Sequence, residues 1–281
     1  VGTGTTQTST PADFATLLLV LVCLLQVSVL MYLILRSRWS GLRLAATTFV
    51  VFYGVATFMP QIESAVFLTR LPPSMVPRLF LVGALVAAPF SVLAVLVLGK
   101  ARPQATDAQR DLAHATDSER LSPPVLTATE WASRLSVSAI AYLILYFTFG
   151  YFIAWRNPAV REYYRGIDPG SFFAQMKAVF DNTPWLFPLQ VLRAMCWVAL
   201  ALPVIRMMKG EWQEKTLAIG LLFAVVMNAQ LLLPNPYMPE PVRMAHLAET
   251  ASSNFIFGIL IGWLFARPRT RSAVAFIQAV G

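Results

Sequence analysis

One repeated feature constrains the fold most: seven runs of about 20 mainly apolar residues, separated by polar, basic or proline-rich breaks. Coiled as an α-helix at about 1.5 Å per residue, such a run matches the hydrocarbon thickness of a bilayer. Strands of a membrane barrel would alternate polar and apolar residues in shorter segments, and these runs do not. The expectation is an all-α, polytopic integral membrane bundle of about seven transmembrane helices. Composition points the same way, because 57% hydrophobic and only 13% charged residues cannot coat an ordinary soluble domain.

The spans are expected at about 14–35, 44–69 and 79–98, then 135–155, 186–207, 216–233 and 241–266. A polar N-terminus covers residues 1–13, a linker 99–133 and a basic tail 267–281. Pro60 predicts a kink in the second span. The linker carries His114 and Pro123-Pro124, with a short helix expected near 105–116. Between the fourth and fifth spans, Phe172, Phe173, Met176, Val179 and Phe180 recur at helical spacing. That pattern predicts one amphipathic interfacial helix over about 171–181.

Orientation follows from charge. With the N-terminus outside and the C-terminus cytoplasmic, loops assigned to the cytoplasm hold about twice the Lys and Arg of external ones. Every tryptophan except Trp197 then falls at a membrane interface. This asymmetry also accounts for the net charge of +8 without a nucleic-acid partner, since no soluble basic domain is present to bind one. Short loops and the lack of an Asn-x-Ser/Thr sequon fit a bacterial inner membrane. Cys23 and Cys196 both fall inside spans and suggest packing rather than a redox or zinc motif. A retinal protein would need a Schiff-base lysine, and residues 251–266 contain none.

In this topology the ionisable residues of the spans converge on the outer leaflet. Glu63 lies roughly 9 Å from the outer end of the second helix, and Glu249 roughly 12 Å from the outer start of the seventh. His246 stands one turn from Glu249 on the same helical face. Arg193 enters from the fifth span, and Asn228 closes the sixth. Unpaired charges in hydrocarbon cost several kcal/mol, so these groups must pair, protonate or meet water.

The bland reading is an Arg193–Glu63 ion pair, with His246 and Glu249 in the wet headgroup layer. The sharper reading is a water-filled pocket in which Glu63, Glu249 and Arg193 act catalytically. Gln61, Asn228, Ser253 and Asn254 would support them from behind. One version holds a divalent metal, zinc or similar, on His246, Glu249 and Glu63, with Arg193 on an anion or oxyanion. A metal-free version uses Glu63 or Glu249 as general base. The function expected first is a membrane-embedded hydrolase or transferase, metal-dependent in one version, acting on a lipid or lipid-linked substrate. The alternatives are a proton- or ion-coupled transporter and a non-catalytic membrane subunit. A transporter should continue its polar residues to the inner side, where Gln26, Ser28 and Thr47-Thr48 are the main ones.

Overall fold

The computed structural model describes residues 12–67, 71–72, 74–102, 126–168 and 170–268. Within them, seven helices are long and apolar enough to cross a membrane. They are α1 (Ala12–Leu35), α2 (Gly41–Phe67), α3 (Met75–Val97), α4 (Ala128–Trp155), α7 (Leu186–Met207), α8 (Trp212–Leu232) and α9 (Glu240–Ala266). Two short helices, α5 (Pro158–Tyr163) and α6 (Phe172–Asn182), lie between α4 and α7. The chain is thus an all-α polytopic bundle. The expectations on His114, the helix near 105–116, Pro123-Pro124, residues 1–11 and the tail from 269 lie outside the described residues.

Several helices begin earlier than apolar patterning predicts, for local reasons. α4 starts at Ala128 because Thr127 and Glu130 form a capping box. The Glu130 backbone N–H donates to Thr127 Oγ1 at 3.2 Å, and Glu130 Oε2 accepts the Thr127 N–H at 2.8 Å. Two otherwise orphaned donors are satisfied, so a polar turn joins the helix. α3 starts at Met75, with Pro77 in the first turn, where its missing N–H costs nothing.

Burial sorts the spans into a rim and a centre. The most apolar windows of α1 and α3 are 22% and 17% buried, and Leu17, Leu81 and Leu85 project outward as lipid-facing side chains. α8 is 61% buried, and α9 packs against α4, α7 and α8. The α8–α9 contact is close because Gly258 and Gly262 carry no side chain. A Cβ on Gly258 would stand 2.7 Å from Gly220 Cα and 2.8 Å from the Ile219 carbonyl oxygen. These two glycines are a small-xxx-small seam, as expected of Gly258-Ile-Leu-Ile-Gly262. Trp197, the one tryptophan expected away from an interface, is fully buried. It packs on Phe223 at 4.3 Å between ring centroids and donates its Nε1–H to Tyr142 Oη at 3.2 Å.

The two ends of the bundle differ. At one, the Arg38 N–H donates to the Met207 carbonyl at 2.7 Å, and the Lys209 N–H to the Arg36 carbonyl at 2.7 Å. The Gly41 N–H reaches the Lys100 carbonyl at 2.8 Å. Among the described residues, this end gathers Arg36, Arg38, Arg43, Lys100, Arg102, Arg134, Arg206, Lys209, Lys215 and Arg267 against Glu130, Glu211 and Glu214. At the other end, Arg78, Arg156, Arg161, Arg165, Lys177 and Arg243 are nearly balanced by Asp13, Glu162, Asp168, Asp181 and Glu240. All the candidate site residues belong to the balanced end.

Three spans widen into π-turns on the way to that end: Gly54–Phe58 in α2, Gly150–Trp155 in α4 and Leu222–Val226 in α8. The first contains Ala56, the residue whose carbonyl the Pro60 ring would strike in a regular α-helix. The expected kink is therefore a widened turn. α6, the interfacial helix of the sequence reading, is capped by Ser171, which accepts the Ala174 N–H at 3.2 Å. It buries none of its residues in the protein, and Phe173 and Phe180 are 82% and 66% exposed.

Candidate functional site

Arg193 on α7 is the charge around which this end is built. Its side chain is 1% exposed, and NH2 meets Glu63 Oε1 of α2 at 2.6 Å. NH1 donates to Gln190 Oε1, one turn earlier on α7, at 2.8 Å. The Arg193 ring neighbour is Tyr142 of α4, 5.7 Å from the guanidinium carbon to the ring centroid. The ion pair of the bland reading is present, and a small cleft lies beside it.

Glu63, Tyr142, Leu145, Tyr146, Arg193, Glu249, Thr250, Ser253 and Asn254 line that cleft. It encloses about 300 Å³ of empty space including its mouth, and its closed interior has room for about one water molecule. Glu249 is a wall of the cleft, with its side chain 10% exposed. Its Oε2 meets His246 Nδ1 at 2.9 Å, fulfilling the i,i+3 expectation. Its Oε1 lies next to Gly150, where an added Cβ would stand 3.4 Å away. Gly150 opens the π-turn of α4, so that widened turn brings bare backbone up to the carboxylate.

His246 does not line the cleft. It stands behind Glu249, and its Nε2 lies 3.1 Å from Tyr164 Oη in the turn after α5. Tyr164 is held there by stacking on Trp155, 6.4 Å between centroids, and by the neighbouring Tyr163, whose O–H donates to the Tyr237 carbonyl at 2.5 Å. Burial and Tyr163 together push the Tyr164 phenol well above its ordinary pKa, so it is a neutral O–H donor.

The metal-ligating set expected from sequence is not assembled. Glu63 is turned onto Arg193, and both nitrogens of His246 are taken, by Glu249 and Tyr164. Among the described residues, no group of three or more His, Cys, Asp or Glu side chains could hold a metal ion. Donors already used as ion-pair and hydrogen-bond partners would have to turn away before they could ligate.

The supporting residues divide. Ser253 and Asn254 line the cleft. Asn254 donates through Nδ2 to Met227 Sδ at 3.1 Å. Asn228 is one layer back, its Oδ1 accepting the Thr250 hydroxyl at 2.6 Å. Gln61 is not part of the lining, and its buried Oε1 has no hydrogen-bond partner. Tyr142, Tyr146, Thr250 and Gln190 escape the sequence reading, while Tyr164 reads there with Tyr163 as an interfacial anchor that could guide a lipid tail, not as a partner of His246. Tyr142 and Tyr146 at i,i+4 spacing in an apolar span were a usable signal. Tyr164 was not, because a chain reversal brings it back to α9.

Donors around the ion pair remain unused. Arg193 Nε and Gln190 Nε2 are buried without an acceptor. Each such orphan costs about 1–3 kcal/mol, so water or a ligand oxygen is the expected partner.

The chain matches no protein-family model, no curated protein and no solved structure.

The site therefore rests on its own geometry. It combines a carboxylate backed by imidazole and phenol with a neutralised guanidinium that keeps spare donors, around a water-sized void.

Proposed function

We propose that the chain is a membrane-embedded hydrolase or transferase that acts by general acid–base chemistry on a lipid or lipid-linked substrate. The observation that supports it best is the division of labour at Glu249. One oxygen is fixed by His246, while the carboxylate as a whole faces a cleft that Arg193 shares. Glu249 takes the proton of water, or of an acceptor hydroxyl, as that oxygen bonds to the electrophilic centre. The bond to the leaving oxygen breaks, and the leaving oxygen recovers the proton, which restores the carboxylate. Arg193, which lines the cleft and keeps a buried Nε–H without an acceptor, supplies a donor for the oxygen on which charge gathers. Arg193 does not hold a free anion, because Glu63 already neutralises it. The metal-free version needs no rearrangement of these partners and is the one proposed.

A lipid-borne substrate fits a polar cleft at the end of the spans that also carries the exposed aromatic residues of α6. We place the cleft in the outer leaflet, with the basic end cytoplasmic, in a bacterial inner membrane. A reporter fused after Gly281 should read as cytoplasmic; an external reading moves the site to the inner leaflet.

The direct test incubates purified wild-type protein and Glu249→Gln in nanodiscs made from a bacterial polar lipid extract. Lipid species are then followed by mass spectrometry. At least one species should change with wild type and stay constant with the variant. Identical lipid profiles would end the enzymatic reading, and acid-driven solute uptake into proteoliposomes would then become the experiment of choice. Metal content is measured on the same samples. A stoichiometric ion lost in both His246→Ala and Glu63→Gln would restore the metal version.

A further inference from the structure

We propose that Tyr164 and His246 form a proton route that connects Glu249 to the surface of the bundle at the α5 turn. The cleft and the route are separate features. Glu249 belongs to both, whereas neither His246 nor Tyr164 lines the cleft.

With Glu249 as a carboxylate and His246 as a neutral ring, the partners set the direction of each bond. The carboxylate accepts, so His246 Nδ1 donates to Glu249 Oε2 over 2.9 Å. Nε2 of that tautomer accepts the Tyr164 O–H over 3.1 Å. The rings meet edge to face, 5.8 Å between centroids at 80°, which directs the phenol tip at the imidazole. Tyr164 is itself half-buried, and its neighbour Arg165 is exposed. Three groups thus run in file from the cleft wall to the α5 turn, where the half-buried Tyr164 and the 20% exposed His246 side chain both border the surface.

A proton moves inward along this file by a concerted shift. The Tyr164 O–H bond breaks as Nε2–H forms, and Nδ1–H breaks as the Glu249 Oε2–H bond forms. The phenolate oxygen takes a proton from water at the α5 turn, and the hydroxide left behind is released to bulk solvent. Glu249 is left protonated, Tyr164 neutral, and His246 neutral with its proton on the other nitrogen. The reverse shift resets the chain. The other charged groups facing Glu249 are Arg193 and Glu63 across the cleft. They are paired with each other at 2.6 Å and so do not compete for the histidine proton.

Packing alone does not account for the arrangement. α5 is anchored to the start of α9 by other contacts, including Tyr163 on the Tyr237 carbonyl and the buried Val160 beside Val242 and Ala245. A phenylalanine at 164 would keep the ring stacked on Trp155. The hydroxyl is the part that needs a separate reason.

The test needs no substrate, so its outcome is independent of the enzymatic reading. Protein carrying His114→Gln and labelled with ¹⁵N-histidine is reconstituted in nanodiscs, leaving His246 as the only labelled ring. Its tautomer and the exchange of its ring N–H with water are then read by NMR. Wild type should show the Nδ1–H tautomer. Tyr164→Phe should slow exchange by about a hundredfold or more, the lower end of what a positioned proton carrier contributes. General loosening of the α5 turn would speed exchange, so the sign separates a broken route from a damaged structure. Unchanged or faster exchange in Tyr164→Phe overturns the proposal. Glu249→Gln removes the acceptor of the Nδ1 proton and should slow exchange as well. A wild-type rate in that variant means that the ring exchanges without the file, and the route is then wrong.

Discussion

Glu63→Ala is expected to destabilise the bundle by about 3–5 kcal/mol, the range found when one partner of a buried ion pair is removed. The reason lies in what remains. Arg193 would keep its charge at 1% exposure, with Gln190 Oε1 as its one neutral acceptor. The double change Glu63→Leu with Arg193→Met removes the charge as well as its partner. It should recover most of the loss, because well-packed apolar replacements of buried pairs are often neutral or stabilising. Unfolding of the three proteins in mixed micelles, titrated with denaturing detergent, measures the comparison. A single and a double variant that unfold together would mean that the pair is solvated and does not anchor the end of the bundle. If the double variant is stable yet inert towards lipid, the pair is there for chemistry.

Gly258→Val is expected to cost about 1–3 kcal/mol at least, the range for forcing extra carbon into a packed interior. The new side chain would meet Gly220 Cα and the Ile219 carbonyl, and backbone cannot rotate aside as a side chain can. α8 and α9 would have to separate along the Gly258–Gly262 seam. The Thr250–Asn228 bond that joins the same two helices near the cleft would then weaken. Leu81→Val, on the 61% exposed lipid face of α3, is the matched control and should leave stability unchanged. Equal behaviour of the two variants in the same detergent titration would show that the seam is not tightly packed in the membrane.

The fold was legible because the bilayer leaves few options for seven apolar runs, and length alone finds them. Helix starts were less legible where polar residues extend a helix, as Thr127 and Glu130 do. At the site, depth along each span placed Glu63, Arg193 and Glu249 at one level, and His246 one turn from Glu249. Depth does not say which way a side chain turns. It could not show that Glu63 faces Arg193 rather than His246, which is what separates an ion pair from a metal site. Nor could it find Tyr164, whose contact with His246 depends on the path of the chain between α4 and α7.

The widened turns in α2, α4 and α8 carry a consequence for how these spans can change. Each accommodates one residue more than an α-helix of the same rise, so side chains beyond it are turned by about 100° from the phase set before it. In α2 the turn of residues 54–58 comes before Glu63. In α4 the turn of residues 150–155 begins at the backbone that touches Glu249. Removing a single residue from the first would let the helix relax to regular winding of the same rise, so Glu63 would keep its depth and its face towards Arg193. At these levels of the membrane, a span can lose a residue that a regular helix could not.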